Sequence, residues 1–186
     1  DQIRFDGNLE LLYLHPGRYK PPDKEETAKL LGIEKEEPYV IMRFVSWEAF
    51  HERGQSGFSD NNKIKAVKAF SKYSKVFISA EKSVPEELQK YLIKISPEKM
   101  HDVIAHARLF FGESATMASE SAVLGIPAIL LNERWLGYTE EEKEYGLLFS
   151  YKENQSDQHK AIQKGVELLK KHDSQQEMAK NRTRFL

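Results

Sequence analysis

The segment Gly112-Glu-Ser-Ala-Thr-Met-Ala-Ser-Glu120 carries the residue types that a phosphate and a sugar would need. Gly112, Ser114 and Ala115 are small enough to let a ligand approach the backbone. They run directly into a helical pattern, whose first-turn N–H groups and dipole face an anion. Ser114 and Thr116 add hydroxyl donors. Glu120 lies about one turn into the same helix, where one carboxylate can accept two hydroxyl hydrogen bonds from a vicinal diol. The pattern would therefore hold a phosphate at the helix tip and a ribose on the acid. A plainer account fits equally: Ser114 and Thr116 cap a helix and Glu120 is a solvated surface residue. Spacing alone does not choose between them.

Two other loops offer chemistry. Residues 43–59 carry Arg43, Trp47, His51 and Arg53, with glycines at 54 and 57. Cations on a flexible loop could contact a diphosphate or an acceptor, which makes Arg43 and His51 the candidate catalytic residues. Alternatively Arg43 pairs with a nearby carboxylate and His51 is only a loop residue. Residues 132–142 hold Trp135 and Tyr138, which could stack on a sugar or simply anchor the loop. His101 and His106 stand five apart, not at the i, i+4 spacing of a two-histidine metal site. His15, His159 and His172 are scattered, and no metal constellation appears.

The elements that must position these residues follow from the hydrophobic pattern. Apolar runs at 38–44, 75–80, 91–96, 108–114, 127–132 and 146–151 read as six strands, alternating with helical patterns. Asp23 with Glu26, and Thr139 with Glu142, have capping-box spacing. Alternation of this kind implies βαβ units and an α/β fold with a doubly wound, parallel, six-stranded, Rossmann-like sheet. Short continuous apolar runs fit strands covered on both faces. In such sheets ligands bind beyond the carboxyl ends of the strands, which is where all three candidate loops fall.

Composition narrows the partners. The chain has 186 residues, a formal net charge of −1 and no cysteine. Disulfides, thiol catalysis and zinc–thiolate sites are excluded. A near-neutral balance argues against a nucleic-acid footprint. No apolar run approaches the roughly 20 residues that cross a bilayer, and no signal peptide is seen. The expected location is cytoplasmic. The last helix would be the element for any peripheral membrane association, although its charges are mixed.

The segment from Ser96 to Leu131 resembles the nucleotide-binding motif of B-type (GT-B) glycosyltransferases and of UDP-N-acetylglucosamine 2-epimerases. The matching stretches are SPEKM (96–100), ESAT (113–116), Glu120 and AVLGIPAI (122–129). The resemblance implies a UDP-type donor with its base near Ile95, Ser96 and Met100, its diphosphate on the helix tip and its ribose on Glu120, with no further cofactor. Over nearly the whole chain the sequence is also similar to an uncharacterised prokaryotic GT-B-like family, on NLELLYLHP, RFVSWEAFHERGQSG and SATMASESAVLG. One departure stands out: the 2-epimerases have His-Arg-x-Glu-Asn where Arg43–Trp47 stand here, which puts epimerase chemistry in doubt.

These resemblances imply the C-terminal half of a GT-B architecture. Residues 1–36 would be an interdomain linker and short helix, 37–172 the nucleotide-sugar-binding domain and 173–186 a C-terminal helical tail. The start at Asp1 is read as an excised piece whose N-terminal acceptor domain, the expected partner of the cleft, supplies the general base. The implied function is donor binding in a glycosyltransferase, so this chain alone should bind a nucleotide sugar without turnover. The alternatives are a UDP-sugar 2-epimerase-like isomerase and a non-catalytic nucleotide-binding or interaction module.

Overall fold

Along the first strand Val40, Met42 and Phe44 alternate with Tyr39 and Ile41, and both sets are buried. Such a strand must be covered on both faces. The computed structural model describes residues 8–46, 57–132, 134–171 and 173–186. Its strands are β1 (Tyr39–Phe44), β2 (Lys75–Ala80), β3 (Leu109–Gly112), β4 (Ala128–Leu131) and β5 (Leu148–Tyr151). Its helices are α1 (Leu11–Leu14), α2 (Lys24–Leu31), α3 (Asp60–Phe70), α4 (Met100–Ile104), α5 (Ala115–Leu124), α6 (Gly137–Glu144), α7 (Gln155–Lys170) and α8 (Ser174–Phe185). All strand pairs are parallel, in the order β2-β1-β3-β4-β5.

The two faces build separate cores. Val40, Met42, Phe111 and Ile129 pack with Ala66, Val67 and Phe70 of α3 and Leu168 and Leu169 of α7. Ile41, Phe110, Ala128 and Leu130 pack with Val103 and Ile104 of α4, Ala118, Ala122 and Val123 of α5, and Met178 of α8. Leu14 of α1 joins this second core, so the N-terminal segment docks on the face that carries α5. The C-terminal helix is tied there too, by Arg182 Nε donating to Val123 O at 2.7 Å. Among the described residues no helix is long and apolar enough to cross a membrane.

The sheet has five strands among the described residues, not the six expected. Residues 91–96 make one bridge, Ile78 to Leu92, with Ile93 N donating to Ile78 O at 2.9 Å. The reason is local. Glu86–Tyr91 forms a 3-10 turn whose end uses the Leu92 N–H, bonded to Gln89 O. Pro97 follows soon after, and Leu92, Lys94 and Ser96 face solvent. An edge segment so short and half-exposed gains little from continuing the ladder.

Capping divides the same way. Asp23 accepts from Glu26 N at 2.9 Å and Gly32 closes α2 in the left-handed region, as the pattern predicts. The Thr139–Glu142 capping box does not form. Helix α6 starts at Gly137 without a side-chain cap, and Thr139 Oγ1 donates to Leu136 O at 2.8 Å. Glu142 turns inward and is fully buried, where Asn8 Nδ2 donates to it at 2.7 Å and the Ser119 hydroxyl also donates to it. A buried carboxyl group takes the donors the interior offers it, not the exposed cap.

Candidate functional site

From β1 the chain crosses to β2 on one side and then returns to β3 on the other, so the order of strands switches between β1 and β3. Arg43, one residue before the end of β1, pairs in register there with Gly112, the last residue of β3. Helix α5 starts three residues after Gly112, directly beyond the sheet's carboxyl edge. The N–H groups of its first turn have no intrahelical acceptor.

Next to this tip lies a cleft of about 590 Å³, whose lining includes Arg43, Ile95, Met100, His101, Met117 and Glu120. Four residues singled out from sequence therefore meet in one place: Arg43, Ile95, Met100 and Glu120. The other candidates are not among its lining residues. Ser114 is the N-cap of α5, its hydroxyl accepting from Met117 N at 3.4 Å, and Ala115 and Thr116 begin the helix with Thr116 exposed. Ser96 is an exposed residue at the start of a 3-10 turn (Pro97–Lys99), and its side chain makes no cap bond. Gly112 is buried within the sheet. His51, with Trp47 and Arg53, lies outside the described residues. Trp135 is largely exposed, and Tyr138 is half-buried beside Glu10 and Glu142.

Arg43 has partners already. Nη1 donates to Ser79 Oγ at 2.7 Å and Nη2 to Glu81 Oε1 at 2.5 Å. Its charge is matched, so a diphosphate would have to compete with Glu81 for it. The other oxygen of Glu81 accepts from Ser46 N at 3.0 Å. Glu113, buried just after β3, accepts from Val45 N at 3.1 Å and from Phe58 N at 2.5 Å. One carboxylate thus grips both ends of the connection from β1 to α3. Glu113→Ala should leave two backbone donors without their acceptor and cost about 1–3 kcal/mol for each that stays buried. Amide hydrogen exchange at Val45 and Phe58 should speed up more than in the sheet; uniform exchange in wild type and variant would refute the clamp.

Glu120 is held from two sides of the cleft. Its Oε1 accepts from the Tyr13 hydroxyl at 3.1 Å and lies 2.9 Å from His101 Nε2. That hydrogen bond, with the negative charges of Glu120 and Asp102, holds the His101 pKa above the ordinary imidazole value against the opposing effect of burial. Burial and the neighbouring carboxylate push the Tyr13 phenol up. Tyr19 donates to Asp102 Oδ1 at 2.7 Å and stands edge-on to the His101 ring. The sequence pattern gave no reason to choose His101, Tyr13 or Tyr19. The only signal was that His101 adjoins Met100 on the turn opened by Pro97.

Two further acidic side chains, Glu10 and Glu142, are buried nearby. Burial drives the Glu142 carboxyl up to about 8, and Glu10 adds to the rise. Glu10 is itself raised, by burial and by the charge of Glu120, against its own backbone N–H.

No protein-family model and no curated protein matches the sequence. Solved structures do resemble the fold. A putative UDP-N-acetylglucosamine 2-epimerase from Listeria monocytogenes is similar over 91% of this chain and 44% of its own, with 16% identity and a TM-score of 0.57. The glycosyltransferase VinC in complex with DTDP matches over 81% of this chain and 38% of its own, with 12% identity and a TM-score of 0.54. A calicheamicin glycosyltransferase matches over 90% and 40%, with 15% identity and a TM-score of 0.51. This chain thus spans about two fifths of the length of each. Identities this low speak for the fold alone, and they agree with the sheet order and the helix layers: the chain has a Rossmann-like α/β fold, similar to that of part of these glycosyltransferase and 2-epimerase structures.

Proposed function

We propose that this chain is the donor-binding domain of a glycosyltransferase-like protein and holds a UDP-type nucleotide sugar. The observation that carries the reading is the position of Glu120, a nearly buried carboxylate on the wall of a cleft at the strand switch, one turn inside the helix whose N-terminus borders the same cleft. A carboxylate suits a cis-diol, and a helix N-terminus suits a diphosphate. Ile95 and Met100 offer apolar contacts for a base. The complex of VinC with DTDP makes a nucleoside diphosphate the ligand class to test first.

In this reading the helix tip from Ser114 to Thr116 stabilises charge that grows on the leaving diphosphate as the glycosidic bond breaks. The general base belongs to another domain, so this chain binds the donor without turning it over. Calorimetric titration with UDP, with Glu120→Ala alongside, tests the reading. Saturable binding that weakens by about 1–3 kcal/mol in the variant, the loss expected for hydrogen bonds to a charged group, supports it. Equal affinity in both proteins would remove Glu120 from the site. No saturation at millimolar UDP would favour a non-catalytic interaction module.

A further inference from the structure

One oxygen of Glu120 is already taken. Tyr13 and His101 both address Oε1, at 3.1 and 2.9 Å. A carboxylate oxygen offers about two acceptor sites, so those of Oε1 are filled. The two donors are held differently. His101 stands on α4, two and three residues before the fully buried Val103 and Ile104, and its ring is flanked by Tyr13 at 5.8 Å and Tyr19 at 6.3 Å. Tyr13 stands on α1, a single turn anchored by Leu14 while Leu12 is 63% and Tyr13 43% exposed. Asn8 and Glu10 just before this turn are buried as well, but a side chain that stands partly in solvent on a short turn moves at lower cost than one on a helix rooted in the core. The same oxygen thus has one fixed donor and one displaceable donor.

A vicinal diol addresses a carboxylate with two hydroxyls, and the second finds Oε1 occupied. We propose that Tyr13 is a specificity-determining residue of this site: its hydroxyl holds, on Glu120, the place of one hydroxyl of a ligand cis-diol, and yields it to ligands that carry the diol. The proposal rests on the donor-binding reading and adds to it a residue outside the nucleotide motif. Tyr13 acts as a built-in competitor. A ligand without the diol leaves Tyr13 in place; a ligand with it replaces one hydroxyl by another.

Titration of wild type and Tyr13→Phe with UDP and with 2′,3′-dideoxyuridine diphosphate tests this. Phe keeps the ring against His101 and removes only the hydroxyl. UDP should bind Tyr13→Phe roughly 10- to 100-fold more tightly, the equivalent of one hydrogen bond to a charged group no longer competing, and the dideoxy nucleotide should bind both proteins alike. Nuclear Overhauser contacts between the Tyr13 and His101 rings should fade with UDP and persist with the dideoxy nucleotide. Weaker UDP binding in the variant, or the same change for both nucleotides, overturns the competitor role while leaving the donor-binding reading intact. If neither nucleotide binds either protein at millimolar concentration, the donor-binding reading fails and this inference falls with it.

Discussion

Thermal melts across neutral pH should show wild type losing stability as the pH rises, and Glu142→Gln should remove most of that loss. The Glu142 carboxyl is fully buried, and burial raises its pKa from 4.5 to about 8. Between those two values the folded chain keeps a proton that the unfolded chain releases. The unfolded state then binds fewer protons, so stability falls with rising pH and the loss is complete above the folded value. A shift from 4.5 to about 8 sets a ceiling of roughly 5 kcal/mol, equivalent to a fall in Tm on the order of 10 °C for a chain of this size. Gln is a neutral isostere, still able to accept from Asn8 and Ser119, which address one oxygen of Glu142 while the other is buried without a partner among the described residues. The variant should therefore equal wild type in acid and exceed it in mild alkali. Parallel pH profiles for the two proteins would mean that Glu142 ionises in the fold at the ordinary carboxylate pKa.

Glu142 also shows where sequence reading stops. The five strands and the cap at Asp23 were legible because each rests on neighbours in the chain: an apolar run, or an acceptor three residues from its donor. Glu142 had the right spacing for a capping box, yet Asn8 and Ser119, 134 and 23 residues away, decide its role. The clamp by Glu113 joins residues 68 and 55 apart, and the Tyr13–Glu120 bond joins residues 107 apart. Pairings of that kind leave no periodicity. Ile95, Met100 and Glu120, which the family resemblance groups together, do meet in the cleft. For Arg43 two accounts stood open. The ion pair with Glu81, 38 residues on across the β1–β2 pair, matches the simpler one.

Gly112→Ala should destabilise the domain by about 1–3 kcal/mol or more, the range for forcing extra volume into a packed interior, and this outcome decides why the glycine is there. From sequence, Gly112 is a place where a ligand could come close to the backbone. In the fold it lies in β3 in register with Arg43 of β1, and a Cβ added to it would lie 2.4 Å from Arg43 O and 2.9 Å from Arg43 N. Those atoms belong to the middle of the sheet. They cannot swing aside as a flexible side chain would, and Arg43 O is also the acceptor for Glu113 N at 3.0 Å. Strands β1 and β3 would have to separate at the switch point, loosening the Glu113 clamp and the tip of α5 together. A fall in Tm of several degrees should therefore accompany any loss of UDP affinity. If Gly112→Ala instead melts like wild type and loses only UDP binding, the space over Gly112 belongs to the ligand, and the strand contact is soft enough to absorb a methyl group.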